Sequence, residues 1–216
     1  MQRLTPTRSG YSRAERISDA AVHVAGLAAA IGAVPVLIVL AAMLRGDLPA
    51  MVGISIYGAT LILMILCSAL YHMVPAPGWK GLLRRLDHGA IYLKIAGTYT
   101  PFALLSGQGA GLTAGIWGAA VAGLSLKMIS PDRFRWAALA LYLGMGWGGV
   151  ALGGALLGAL TPAAVSLMLV GGGLYTLGVV FFLWERLPFQ TTIWHVFVLA
   201  ASLAFYAAVV VQVVAG

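Results

Sequence analysis

Charge is what this sequence has least of. Of its 216 residues only 9% are charged and six are Asp or Glu, whereas 61% are hydrophobic. A soluble domain carries about 25% charged residues. That composition excludes a water-facing globule, and the apolar stretches near 20 residues long match a bilayer core about 30 Å thick. Cysteine is almost absent. Cys67 stands alone inside an apolar run, so no internal disulfide can form and the redox compartment is not encoded. No internal repeat or low-complexity segment occurs, and a seven-span reading cannot divide into two equal transporter halves.

The little charge present is lopsided, with 13 Lys and Arg, a net +7 and a pI near 9.9. In a soluble protein that balance points to nucleic acid. Here the cations flank hydrophobic spans, where they set topology and meet anionic headgroups. Membrane lipids are therefore the expected partners, and nucleic acid is not. Residues 1–17 are polar and basic, and they read as a cytoplasmic N-terminal segment rather than a cleaved signal. The apolar run that follows is too long for a signal core and ends in no small-residue cleavage site.

Residues 18–216 read as one transmembrane domain. Seven spans are predicted, at Ser18–Leu44, Met51–His72, Leu86–Leu105, Ala110–Ile129, Trp136–Leu156, Pro162–Trp184 and Thr191–Val214. Short connections make neighbours antiparallel. Arg3, Arg8, Arg13, Arg16, Lys80, Arg84, Arg85, Lys127, Arg133, Arg135 and Arg186 then fall on one side, and Arg45 alone on the other. The positive-inside rule puts the N-terminus in the cytoplasm and the C-terminus outside. Glycines four apart (Gly144 and Gly148, Gly149 and Gly153, Gly154 and Gly158) can open helix faces, for packing within the bundle or for a homo-oligomer seam.

Ionisable residues inside spans are costly and mark functional sites by default. They are Asp19, His23, His72, Asp87, His88, Lys94 and His195, with Glu15 just before the first span. Apart from the deeper Lys94, all lie within about two turns of the cytoplasmic face. Ser68 and His72 share a helix face, and so do Glu15, Asp19 and His23. Histidines and carboxylates from different helices are what a metal site inside a bundle requires, and zinc suits nitrogen-rich sets. Asp87 could instead pair with Arg84 or Arg85. Lys94 is expected in the interior rather than snorkelling to the surface. Tyr71, Trp79, Trp184 and Trp194 read as interfacial anchors.

Three blocks carry a family resemblance: Ser68-Ala-Leu-Tyr-His72; Leu86-Asp87-His88 with Ile95-Ala-Gly-Thr-Tyr-Thr-Pro101-Phe102; and Trp194-His195-Val-Phe-Val-Leu. They resemble hemolysin III proteins, bacterial relatives of the progestin and adipoQ receptors, from Glu15 to the C-terminus. The resemblance implies an all-α seven-helix protein of the bacterial inner membrane, with zinc near the cytoplasmic face. Carried over, Ser68, His72, Asp87 and His195 match the site. Metal falls to His72, His195 and Asp87, and catalysis to Asp87 and Ser68. Glu15, Asp19, His23, His88, Lys94 and Thr191 are candidates to support the site from behind.

The implied activity is hydrolysis of a lipid amide or ester. Alternatives are a non-catalytic protein that senses or adjusts the bilayer, and a pore-forming or haemolytic protein. Departures from the pattern are Thr191 where a histidine ligand is expected, Asp19 where asparagine is expected, and Lys94 at an apolar position. Threonine is a poor zinc ligand. Three remedies stay open: Asp87 binds metal directly, His23 or His88 swings in, or a metal-free site uses Lys94 near Asp87.

Overall fold

The protein is described by a computed structural model covering residues 12–130 and 134–215. Arg3, Arg8 and Arg133, and most of the N-terminal segment 1–17, lie outside the described residues. The described residues form eight helices and no strand. They are α1 Arg13–Leu44, α2 Leu48–Met73, α3 Lys80–Ser106, α4 Ala110–Ile129, α5 Arg135–Leu152, the short α6 Gly154–Gly158, α7 Pro162–Leu183 and α8 Gln190–Ala215. Five of them (α1, α2, α4, α7 and α8) are long and apolar enough to cross a membrane.

Local chemistry accounts for the helix ends. A capping box opens α1: the Glu15 amide donates to Ser12 Oγ, while Glu15 Oε2 accepts from the Ser12 amide at 2.8 Å. Asp47 caps α2 by accepting from the Ala50 amide at 2.7 Å, with Pro49 in its first turn. Gly107 and Gly109, with φ of 66° and 78°, make the left-handed turn between α3 and α4, where a Cβ would be strained. Thr161 caps α7 ahead of Pro162.

Antiparallel packing gathers helix ends at one level. Arg85 of α3 donates to the Met128 carbonyl at the end of α4, at 2.8 Å. Arg135 opening α5 pairs with Glu185 just beyond α7, at 2.7 Å. Glu15 in α1 accepts from the Phe189 amide at the entrance to α8, at 2.8 Å. This end therefore carries the described basic side chains of the loops, while Arg45 sits at the other end near Asp47.

α3 is the central helix. Thirteen of its residues are buried, against four in α7. A helix lined by protein can carry polar side chains that a lipid-facing helix cannot, which is why α3 is too polar for the set of five. It is also where backbones approach most closely: a Cβ on Gly53 would lie 2.9 Å from Pro101 Cα, and one on Gly97 would lie 2.0 Å from Thr60 Oγ1. Small residues at such contacts let van der Waals packing hold helices together without a hydrophobic drive.

The predicted fifth span, Trp136–Leu156, is not one straight helix. α5 ends at Leu152, and α6 continues beyond Gly153, where a Cβ would sit 2.4 Å from the Gly149 carbonyl oxygen. One turn earlier the Tyr99 hydroxyl enters the ladder of α5. It accepts from the Gly149 amide at 2.8 Å and shares its proton between the Met145 and Gly146 carbonyls at 3.0 and 2.9 Å. An inserted side chain of this kind bends a helix. Of the predicted glycine pairs, Gly149 packs on Tyr99 and Gly148 on Ile116, but Gly144, Gly154 and Gly158 face open space.

Gly97→Val should lower the melting temperature of detergent-purified protein, by an overpacking penalty of about 1–3 kcal/mol. Gly118→Ala, at a position with nothing within 4 Å, should leave it unchanged.

Candidate metal centre

The stripe Glu15, Asp19 and His23 runs along the buried face of α1, at 2%, 7% and 4% exposure. Across from it stand Ser68 and His72 near the end of α2, Asp87 in α3, and His195 one turn into α8. Three imidazoles meet here. Ring centroids of His23 and His195 are 4.4 Å apart, those of His72 and His195 are 4.7 Å apart, and those of His23 and His72 are 5.4 Å apart.

Asp19 holds all three by the same ring nitrogen. His195 Nδ1 is 2.6 Å from Asp19 Oδ1, and His72 Nδ1 is 3.3 Å from Asp19 Oδ2. His23 Nδ1 is 2.8 Å from the Asp19 carbonyl oxygen. Carboxylate and carbonyl oxygens only accept, so the Nδ1 atoms of His195 and His23 donate and their Nε2 atoms keep a lone pair. Those Nε2 atoms face the other way. His23 Nε2 is 3.0 Å and His195 Nε2 3.4 Å from Ser68 Oγ, while His72 Nε2 is 3.9 Å from Asp87 Oδ2.

This is a donor set that fits a metal ion. The buried group Asp19, His23 and His195 offers one ligand atom each, all within 4.8 Å of one another. A tetrahedral site with bonds near 2.1 Å needs ligands roughly 3.4 Å apart, so modest side-chain closure suffices. A carboxylate on Nδ1 with the opposite nitrogen bare is also how proteins orient metal-binding histidines.

Other predicted site residues lie elsewhere. Glu15 is engaged by the backbone amides of Ser12 and Phe189, so it braces α1 against α8. His88 approaches Asp87 at 3.9 Å but stands outside the cluster of three rings. Thr191 donates to Gln190 Oε1 at 3.3 Å, one turn before His195. Lys94 does not reach Asp87: it donates to Thr98 Oγ1 at 2.7 Å, and its ammonium lies 4.1 Å from the centre of the Tyr57 ring. Asp19 was legible only as a member of a polar stripe. Its contacts with α2 and α8 cross 53 and 176 positions (72 − 19 and 195 − 19), a range that helical spacing does not address.

The cluster sits in the wall of a cavity of about 970 Å³. Arg84, Lys127, Arg135 and Arg186 also line it, and so do Lys94, Tyr99, Phe102, Tyr142, Trp147 and Phe205 deeper in the bundle.

Helices of this length and apolarity, with a buried histidine and carboxylate cluster that could hold a metal ion, define a multi-pass protein of the cell membrane. It belongs to the haemolysin-III related family, whose pattern matches residues 13–206. The "Hemolysin-3" of Bacillus cereus is 41% identical to it over 191 residues, 87% of each chain. The "Hemolysin-3 homolog" of Bacillus subtilis (strain 168) is 37% identical over 195 residues, 89% of this chain and 91% of that one. The human "Monocyte to macrophage differentiation factor" is 29% identical over 176 residues, 71% of this chain and 67% of the human one.

Asp19→Ala removes the carboxylate that the His72 and His195 rings face, and leaves His23 its backbone acceptor. It should weaken binding of added zinc about 10–100-fold, as loss of outer partners does elsewhere. Titration calorimetry in detergent measures this, with Glu185→Ala as the unaffected control.

Proposed function

We propose that the chain is a seven-span membrane protein with a zinc-dependent hydrolase site for a lipid amide or ester, opening toward the cytoplasm. The observation that supports it most is the meeting of the His23, His72 and His195 rings, with Ser68 beside two of them and Asp87 beside the third, next to a large, mainly apolar cavity. His23, His72 and His195 would hold the ion by Nε2. His23 thereby stands in for the histidine that Thr191 replaces, and Asp19 orients all three rings. Bound there, zinc supplies Lewis-acid polarisation of a carbonyl and a more acidic water.

The chain's own groups account for the remainder. The Asp87 carboxylate takes the proton from the attacking water as general base and returns it to the leaving amine or alkoxide. The Ser68 hydroxyl orients that water. Apolar walls around Phe102 and Trp147 accommodate acyl chain, while Arg84 and Arg186, which line the same cavity, attract anionic headgroups.

In this reading α3 and α5, the latter extended by α6, complete seven crossings with the five more apolar helices. The excess of Lys and Arg at one end of the bundle supports a cytoplasmic N-terminus. An alkaline phosphatase fused after Gly216 should be active, and a green fluorescent protein fused there should be dark. The reverse pattern overturns the orientation.

Purified wild type should carry about one zinc per chain by elemental analysis, and His23→Ala, His72→Ala and His195→Ala should each lose it. Wild type should release fatty acid from a fluorescent N-acyl sphingoid base. Asp87→Asn should keep its zinc yet slow turnover about 10²–10⁴-fold, the range for loss of a general base. Zinc-loaded protein with no turnover would favour a bilayer-sensing role, and failure to bind zinc at all sinks the hydrolase.

A further inference from the structure

Among the described residues Lys94 is the one cation placed in the middle of a helix, 14 residues into the 27 of α3 (94 − 80), and it is 3% exposed. An ammonium has three N–H donors. One goes to Thr98 Oγ1, whose own proton returns to the Lys94 carbonyl at 2.8 Å. The Tyr57 ring face takes a second. Neither partner is anionic, and among the described residues no carboxylate lies within 4.0 Å. A charge buried this deeply without a counter-ion is strongly disfavoured, and an intramembrane lysine normally has a partner. The cavity wall that holds Lys94 also holds Tyr142, whose buried hydroxyl has no hydrogen-bond partner among the described residues.

The geometry points to a second binding site in this cavity, for a single carboxylate on an apolar body, with Lys94 as counter-ion and the Tyr142 hydroxyl as additional donor. Lys94 follows Asp87 by seven residues, so its backbone stands roughly 10 Å further along α3, and its ammonium reaches on to Thr98, away from Asp87 and the histidine cluster. A carboxylate held there cannot also lie on the Nε2 atoms. The apolar body would pack against Phe102, Leu143, Trp147 and Phe205, which line the same space. The volume is at the upper end of the roughly 300–1,000 Å³ of small-molecule pockets, enough for such a ligand to be enclosed. The site stands independently of zinc and of hydrolysis.

Laurate, dodecanol and methyl laurate, titrated calorimetrically into full-length protein in maltoside micelles, test this. Wild type should bind laurate at least ten-fold more tightly than either neutral analogue. Lys94→Met should erase the difference while retaining wild-type zinc content. Tyr142→Phe should narrow it several-fold, and decides the matter if Lys94→Met does not fold. His195→Ala should preserve it. Equal affinities in the wild type overturn the site, as does a preference that survives both Lys94→Met and Tyr142→Phe. A preference lost in His195→Ala but kept in Lys94→Met would place the carboxylate at the histidine cluster instead, and also overturns it. Acetate bound as tightly as laurate would replace an amphiphile site with a small-anion site.

Discussion

The contact between Asp19 and the Nδ1 atoms of His72 and His195 is the point on which this end of the molecule depends. A carboxylate in a low-dielectric interior must be matched by donors, and imidazoles there must have their protons placed. Asp19 satisfies both demands, because each of its carboxylate oxygens faces a different ring and its carbonyl accepts from the third. It thereby joins α1 to α2 and to α8, the first long helix to the last. The same contacts choose the tautomer, and the tautomer decides which nitrogens are left to bind a ligand. Stability and chemistry are set by one group.

The bundle is arranged so that this polar cluster does not meet lipid. α3 occupies the centre and bears Asp87, Lys94 and the Thr98-Tyr99-Thr100 run, while α1, α4 and α7 keep most of their surface outward. Polar groups of α3 are matched helix by helix: Tyr92 and Tyr99 donate to carbonyls of α5, and Thr100 accepts from Trp117 of α4. These bonds serve where apolar contact offers little net drive, since lipid chains are as apolar as the helix faces. They also hold α5 off a straight course, and the cavity lies along that side of α3.

Much of this was legible in the sequence alone. The scarcity of charge determined the class, the asymmetry of Lys and Arg grouped the helix ends, and helical spacing put Glu15, Asp19 and His23 on one face. The block around Asp87 and Tyr99 identified the family, and Thr191 stood out as the residue found where the resemblance implies a histidine. Each of these depends on residues within one or two turns, or on composition summed over a span, and a linear chain displays both directly.

What the sequence alone determined, then, was membership, element order and the list of chemically active residues. Only the tertiary structure decided their roles. It made Asp19 the centre of the cluster and His23 an equal member of it. It drew Glu15 away to brace α8, and it placed Lys94 beside Thr98 and Tyr57 rather than beside Asp87. It also interrupted the fifth predicted span at Gly153, where Tyr99 from another helix enters the turn before. Apart from the contact of Lys94 with Thr98, one turn along its own helix, these outcomes turn on distances between residues tens to nearly two hundred positions apart. Helical periodicity describes one helix at a time, and the packing of helices against one another is what sets those distances.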